Sequence, residues 1–562
     1  MKEKKPMPAT RPWMVPLVLL SALTVLLLSL PFLFPGSGIA ALFALVPLLA
    51  MERLATQWKI RRFWLWHFGT FVLWNAVTTW WVCEATFGGG VFAILANALQ
   101  MSLVFGLFRA FKKRIGGGGV LPYIFLAALW IAWERFYLTA AEISWPWLVL
   151  GNAFAGDIAL VQWYCVTGTL GGSLWIWAVN LSIFGLLVAY TGGAWQRWNG
   201  KARVASVLAP ALLLVVPVAV SLGMWYSDEP EGDGRTLPVL IVQPNIDPYD
   251  KYKMSSQNTY DENLVDAVES SLEEQPVAKD EVLLVVAPET FTFAVPTDDV
   301  SSHLTQQHLV ALAARHPELR MNILYGASTY DRIDSERAPS RTAQKLGGKY
   351  WKERHNSALM TDSSGRVDIY HKTKLVVGTE STPYPAIFVP IDDWLGGVMA
   401  RDIGQEHRTA LPVCSGRPGE EPVRVGCAIC YESVYGEFCT EYVRDAGADV
   451  LAVITNDGWW GDSPGHRQHL RYSSLRAIET RRAVIRCGNT GISALIDRKG
   501  RVLASTSWWQ PAVLRGEVSL SSEQTFFVRH GDIPGRIAVF VALLLAAFAL
   551  VRVFTGRKES RV

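Results

Sequence analysis

Three apolar runs in this chain each end on a side chain that handles charge. Residues 282–288 run into Glu289, residues 367–371 (V-D-I-Y-H) into Lys372, and residues 423–429 (V-R-V-G-C-A-I) into Cys430, with Tyr431 and Glu432 directly behind it. A carboxylate, an ammonium and a thiol at three strand ends are the inventory of covalent acyl transfer: a nucleophile, a base for its proton, and a cation for the developing oxyanion. Alone, Cys430 reads as a small core residue and Lys372 as a solvated lysine. Their company reverses that, because a carboxylate closing a run as apolar as L-L-V-V-A-P-E needs a partner or a raised pKa to be held there. Cys427 and Cys430 form a C-x-x-C. In an extended strand their Cα atoms lie about 10 Å apart on opposite faces, so neither a disulfide nor a shared metal is expected. No second C-x-x-C or histidine cluster completes a zinc site, and the expectation is no metal and no cofactor.

These residues must be positioned by a chain of 562 residues that is 50% hydrophobic and contains 23 Trp, too apolar for one water-soluble domain. Apolar stretches suited to a bilayer fall at 14–32, 39–51, 63–83, 91–111, 120–137, 171–190, 205–225 and 537–554, the second being short for a crossing. Basic residues gather before the first stretch and after the second, fourth, sixth and eighth, for example Arg109, Lys112, Lys113 and Arg114. By the positive-inside tendency both termini are then cytoplasmic and the long segment after the seventh stretch is exported. The first stretch has no small-x-small cleavage site and reads as a retained anchor. The expected organisation is a multi-pass α-helical membrane bundle over 1–227 with about seven helices, an exported α/β domain over 237–520, and a last membrane helix over 535–555. The net charge of +3 follows from these topology clusters, and no basic and aromatic interleaving points to nucleic acid.

Within the exported segment, strands are expected at 238–243, 282–287, 322–326, 356–361, 367–370, 423–429, 450–455, 492–496 and 513–518. Helices are expected at 261–272, 305–315, 439–446 and 465–482, which together make a layered α/β domain. Five of the seven cysteines fall here. His355, His466 and His469 read as packing histidines, and Glu84 and Glu134 as hydrogen-bonded carboxylates beside or within membrane helices. Residues 384–398, with Phe388, Trp394, Leu395 and Val398, read either as a membrane-dipping lid or as a packed loop.

The Glu289, Lys372 and Cys430 set, together with V-Q-P-N-I at 242–246, Y-H-K-T-K-L-V at 370–376, C-Y-E at 430–432, N-D-G-W-W-G at 456–461 and R-C-G-N-T-G-I-S at 486–493, resembles the nitrilase superfamily. The order of membrane bundle, nitrilase-like domain and final helix resembles its membrane-embedded family, the apolipoprotein N-acyltransferases. That resemblance implies a nitrilase-like α-β-β-α sandwich with Glu289 as general base, Lys372 as oxyanion stabiliser, Cys430 as nucleophile, and Glu380 and Glu432 as supporting carboxylates. It implies transfer of a fatty acyl chain from a phospholipid, through a cysteine thioester, to the amino group of a diacylated apolipoprotein at the periplasmic face of a bacterial inner membrane. Tyr431, Asn456, Trp459, Trp460 and Trp394 join the site as supporting or substrate contacts. So does Tyr252, standing where many members have tryptophan. The L-V-V-G-T-E run at 375–380 departs from the family's proline and phenylalanine before the second glutamate. Two other readings use the same residues: a membrane-tethered amidase, and a receptor or transporter that keeps the fold as a binding module.

Overall fold

The computed structural model describes residues 13–116, 119–227, 232–251, 257–397, 399–417 and 419–559. A helix stands at each of the eight apolar stretches: Met14–Leu33, Ala41–Gln57, Trp64–Thr79, Phe87–Arg114, Leu121–Thr139, Tyr164–Thr191, Gly200–Trp225 and Ile533–Glu559. Six helices, counting Gly38–Gln57 as one and Ile533–Arg552 for the last, are long and apolar enough to cross a bilayer. Trp64–Thr79 falls short at 16 residues. Leu121–Thr139 carries Glu134 and Arg135. The second stretch corrects the expectation of a short crossing. Its helix runs past the first charged residue because buried Glu52 is paired with Lys112 at 2.7 Å, which neutralises the carboxylate among apolar neighbours. The helix Tyr164–Thr191 is broken at Gly168, whose φ of 64° and contact with the Phe527 ring leave no room for a Cβ.

Two sheets form the middle of the α/β domain. The first runs in the order Ala512–Ser519, Thr236–Gln243, Val282–Val286, Arg320–Asp334, Tyr350–Asp362 and Gln344–Gly347, with Thr292–Pro296 and Val367–His371 paired beside it. The second runs Val502–Ser505, Ala494–Ile496, Val484–Gly488, Val450–Thr455, Val423–Ile429 and Ala410–Val413. The two-residue strand period decides which side chains join which layer. Val239, Ile241, Leu284 and Val286 point between the sheets, where they meet Val425, Cys427, Ile454 and Cys487. Their neighbours Leu240, Val242, Leu283 and Val285 point outward onto Leu264, Val268, Leu309 and Leu312 of the helices Gln257–Glu274 and Leu304–Arg315. The helices Gly436–Arg444 and Pro464–Thr480 cover the second sheet, completing the expected four layers.

Strands 236–243, 282–286 and 320–334 are parallel, as are 423–429, 450–455 and 484–488. Glu289 and Cys430 therefore both lie beyond carboxyl ends of parallel strands, where α/β sheets open a crevice. The structure adds strands at Thr292–Pro296, Gln344–Gly347, Ala410–Val413, Val484–Gly488 and Val502–Ser505, whose four or five residues carry too little pattern to announce themselves. It also turns the region of 384–398 into a helix, Pro385–Trp394, with Val398 outside the described residues.

Candidate active site

Cys430 opens the short turn Cys430–Val434 at the end of its strand, with φ of 49° in the left-handed region. A non-glycine residue there is strained, and the surroundings that hold it fix the thiol at the top of the sheet. Lys372 Nζ donates to Glu289 Oε1 at 3.1 Å and to Glu380 Oε1 at 2.7 Å. Asn356 Nδ2 donates to the same two oxygens at 2.8 and 2.7 Å. The remaining oxygens accept backbone N–H groups, Asn456 to Glu289 at 3.1 Å and Val376 to Glu380 at 2.6 Å. Two carboxylates thus share one lysine and one asparagine, and the departure at 375–380 still brings Glu380 to Lys372.

Glu432 faces another way. It accepts Ile429 N at 2.8 Å, Thr373 N at 2.7 Å, Tyr370 Oη at 2.7 Å and Tyr442 Oη at 3.2 Å, so it stitches the Cys430 strand to the segment bearing Lys372. Tyr431 Oη donates to the Ser144 carbonyl at 2.8 Å, tying the residue after the thiol to the membrane bundle. Asn456 accepts from Asn489 Nδ2 at 3.1 Å. Trp460 packs on Trp81 and Trp147 of the bundle, and Trp459 on Tyr249. Trp394 is not brought to these residues: it is 83% exposed on the helix Pro385–Trp394. Tyr252 lies outside the described residues.

Several residues that the sequence does not assign to the site lie against it, His469 among them as the packing histidine expected. Lys251 is buried and donates to the Glu289 carbonyl and Thr290 Oγ1, both at 2.7 Å; in D-K-Y-K it looks like an ordinary loop lysine. His469 Nε2 meets the Cys430 carbonyl at 3.1 Å and Ser433 Oγ at 2.8 Å, while its Nδ1 meets Asp457 at 2.9 Å. Cys430, Asp457 and His469 place ligand-type atoms within 4.8 Å of one another. They do not offer a ready metal site, because both ring nitrogens are engaged and Asp457 is also held by Thr455 at 2.7 Å and Arg486 at 2.5 Å. All seven cysteines are free thiols.

The charges are set against one another. Burial, and then Glu289, push the Cys430 thiol well above its ordinary value, with Lys372 opposing. Burial alone would raise Glu289 too, but Lys372, the Asn356 amide and Lys251 together hold it below the usual carboxylate range. Lys372, desolvated yet flanked by Glu289 and Glu380, stays firmly protonated. Burial lowers Lys251 to about 7. The resting site is a neutral thiol beside an ionised base and a fixed cation, the protonation states that a thiol nucleophile needs before substrate arrives.

Together, the two-sheet sandwich and the site at its strand ends define a carbon-nitrogen hydrolase domain carried on a membrane bundle. Residues 241–526 match the family model of the carbon-nitrogen hydrolases, and residues 24–182 match that of the apolipoprotein N-acyltransferase N-terminal domain. The chain is 30% identical over 519 residues to the apolipoprotein N-acyltransferase of Chlorobaculum tepidum, covering 91% of this chain and 92% of that one. It is 29% identical to that of Geobacter metallireducens, covering 95% of each. With that of Gloeobacter violaceus it shares 26% identity, over 93% of this chain and 91% of the relative. The chain belongs to the apolipoprotein N-acyltransferase family, and its apolar helices make it a bacterial membrane protein.

Proposed function

We propose that this protein moves a fatty acyl chain from a phospholipid to the α-amino group of a diacylglyceryl-cysteine lipoprotein, with Cys430 as the covalent carrier. The observation that carries this reading is the Lys372 ammonium shared between Glu289 and Glu380 beside a strained cysteine. In the first half-reaction Glu289 takes the thiol proton and Cys430 Sγ attacks the donor's ester carbonyl. Lys372, with backbone N–H groups near Cys430, holds the oxyanion, a contribution of about 3–4 kcal/mol per donor in comparable sites. The C–O bond breaks, the lysophospholipid hydroxyl takes the proton back from Glu289, and a thioester remains. In the second half-reaction the neutral amine attacks the thioester carbonyl, the C–S bond breaks, and Glu289 carries the amine's proton to the departing thiolate.

Glu380 and Glu432 position Lys372 and the Cys430 strand. Tyr431 and Trp460 shape the wall towards the bundle, and Asn456 and Trp459 the wall within the domain. Residues 1–227 and 535–555 serve as the membrane part and 237–520 as the catalytic domain on the periplasmic side of the inner membrane, with both termini cytoplasmic. Leaving each acyl chain in the bilayer avoids about 0.8 kcal/mol per methylene exposed, which is the physical reason for placing this chemistry on a bundle. The helix Pro385–Trp394 and the turn after it expose Ile387, Ile391, Trp394 and Leu395 along one side, a face suited to resting on the leaflet.

The test is intact-protein mass spectrometry of the purified protein after incubation with phospholipid, followed by addition of a diacylated lipopeptide with a free amino terminus. The expected result is a hydroxylamine-labile adduct that needs Cys430 and passes to the lipopeptide. An adduct lost equally fast to water alone would make the protein a hydrolase.

A further inference from the structure

Beside the site lies a cavity of about 560 Å³ that the chemistry above leaves unused. One wall is the exit from the bundle helix Leu121–Thr139, at Ala141 and Glu142. The others are Thr382, Tyr435, and the basic side chains of Arg341 and Lys374. The cavity touches the catalytic machinery through the chain itself: Thr373 and Lys374 follow Lys372, and Ser381 follows Glu380.

Its charges are unevenly committed. Asp402, also in the wall, is paired with Arg354 at 2.9 Å, and Glu142 accepts the Tyr384 backbone N–H. Neither Arg341 nor Lys374 has an ion-pair partner among the described residues. Lys374 is largely buried, with its ammonium 5.3 Å from the centre of the Tyr435 ring, and burial and then Arg408 hold its pKa below the ordinary value against the pull of Glu441 and Glu432. A desolvated cation in no direct ion pair is a costly arrangement that an anionic ligand relieves. The cavity also sits where the chain leaves a helix of the bundle and meets the α/β domain.

Resting on the acyl-transfer reading above, we propose that this cavity seats the phosphate diester of the acyl donor, with Lys374 and Arg341 as its cationic contacts, and that it serves the first half-reaction alone. The diacylated acceptor carries no phosphate at its glyceryl group. The same two side chains therefore separate donor from acceptor at a site that both must visit, and the lysophospholipid, still holding its phosphate, must leave the cavity before the acceptor enters.

The experiment uses the full-length protein in detergent micelles, as wild type, Lys374→Met, Arg341→Gln, and the charge-keeping Lys374→Arg and Arg341→Lys. Single-turnover thioester formation on Cys430 is followed by mass spectrometry with two donors, dioleoyl phosphatidylglycerol and dioleoylglycerol, which share their esters but not the phosphate. Transfer from preformed thioester to a diacylated lipopeptide is measured separately. The expected result is a fall of about 10–100-fold with the phospholipid at subsaturating concentration, the loss of one or two charge-assisted hydrogen bonds. Dioleoylglycerol and the lipopeptide step should be unaffected, and the charge-keeping variants should recover most of the loss. An equal fall with both donors, no fall with phospholipid, or a fall confined to the lipopeptide step overturns the proposal while leaving the acyl-transfer reading intact. A wild type that forms no thioester with either donor overturns both.

Discussion

The two halves of the sandwich are built from the same parts and face different worlds. On the first sheet, the helix Gln257–Glu274 buries a single stripe, Asp261, Leu264, Val268 and Leu272, and presents the rest to water, as an amphipathic helix does. On the second, the helix Pro464–Thr480 exposes Arg467 in its first turn and is buried all round from Tyr472 on, although Arg476 and Glu479 lie there and Gln468 and His469 are buried before it. Its polar groups are answered from the membrane bundle. Gln468 donates to the Thr78 carbonyl at 3.1 Å, Tyr472 to the Trp147 carbonyl at 2.7 Å, and Glu479 accepts Thr169 N at 2.9 Å just past the break at Gly168. Arg476 pairs with Glu479 at 2.8 Å and donates to the Val434 carbonyl at 2.8 Å, in the turn that Cys430 opens. The first half is an ordinary soluble layer. The second couples the bundle to the turn that Cys430 opens, so damage to the two should read out differently.

The largest effect belongs to the site between them. Cys430→Ala should lower turnover by about 10⁴-fold or more and remove the acyl adduct, and Glu289→Gln should cost about 10²–10⁴-fold with the fold intact. Both are checked by acylation of a lipopeptide against thermal unfolding. Arg476→Met strands Glu479 between sheet and bundle, and should cost about 3–5 kcal/mol together with a slower thioester step. Leu309→Ala, on the soluble side, should cost about 2–5 kcal/mol and leave the rate of the surviving folded protein unchanged. If Arg476→Met also left that rate unchanged, the contrast between the halves would fail.

Acid sharpens the contrast further. Burial holds the His466 imidazole, stacked on Trp508, at about 4 against an ordinary 6.5. The unfolded chain binds that proton more readily, so its contribution to stability is complete above about pH 6.5 and is lost as the pH falls towards 4. His466→Gln should flatten the stability profile in that window, measured by thermal unfolding across pH. The smallest effect is Trp394→Ser, within about 0.5 kcal/mol for stability because the ring touches little of the fold. Weaker binding to vesicles is its expected consequence if that face rests on lipid.

The proposed trio of Glu289, Lys372 and Cys430 was legible because each member ends an apolar run, and an apolar run that stops on a chemically active side chain is visible without a fold. Glu380 became legible through the family pattern alone. Lys251 and Asn356 were not singled out, Asp457 entered only within the N-D-G-W-W-G motif and His469 only as a packing histidine, since nothing in a window around any of them separates a partner of the site from any other residue. The helix Pro464–Thr480 was found where its pattern predicted, but not its surroundings: a helix with two buried faces looks solvated in sequence when its polar groups are satisfied from elsewhere.

The sequence by itself determined the membrane helices, the layered α/β domain and the residue types of the chemistry, because bilayer length, strand alternation and the cost of a charge beside an apolar run act within short windows. Only the tertiary structure decided that Glu289 and Glu380 share one lysine, that Glu432 turns away to stitch two strand ends, that Trp394 stands apart, and that Lys374 and Arg341 line one cavity at the end of a bundle helix. Those are distances between groups far apart in the chain, and they follow from which strands pair and how two sheets face each other.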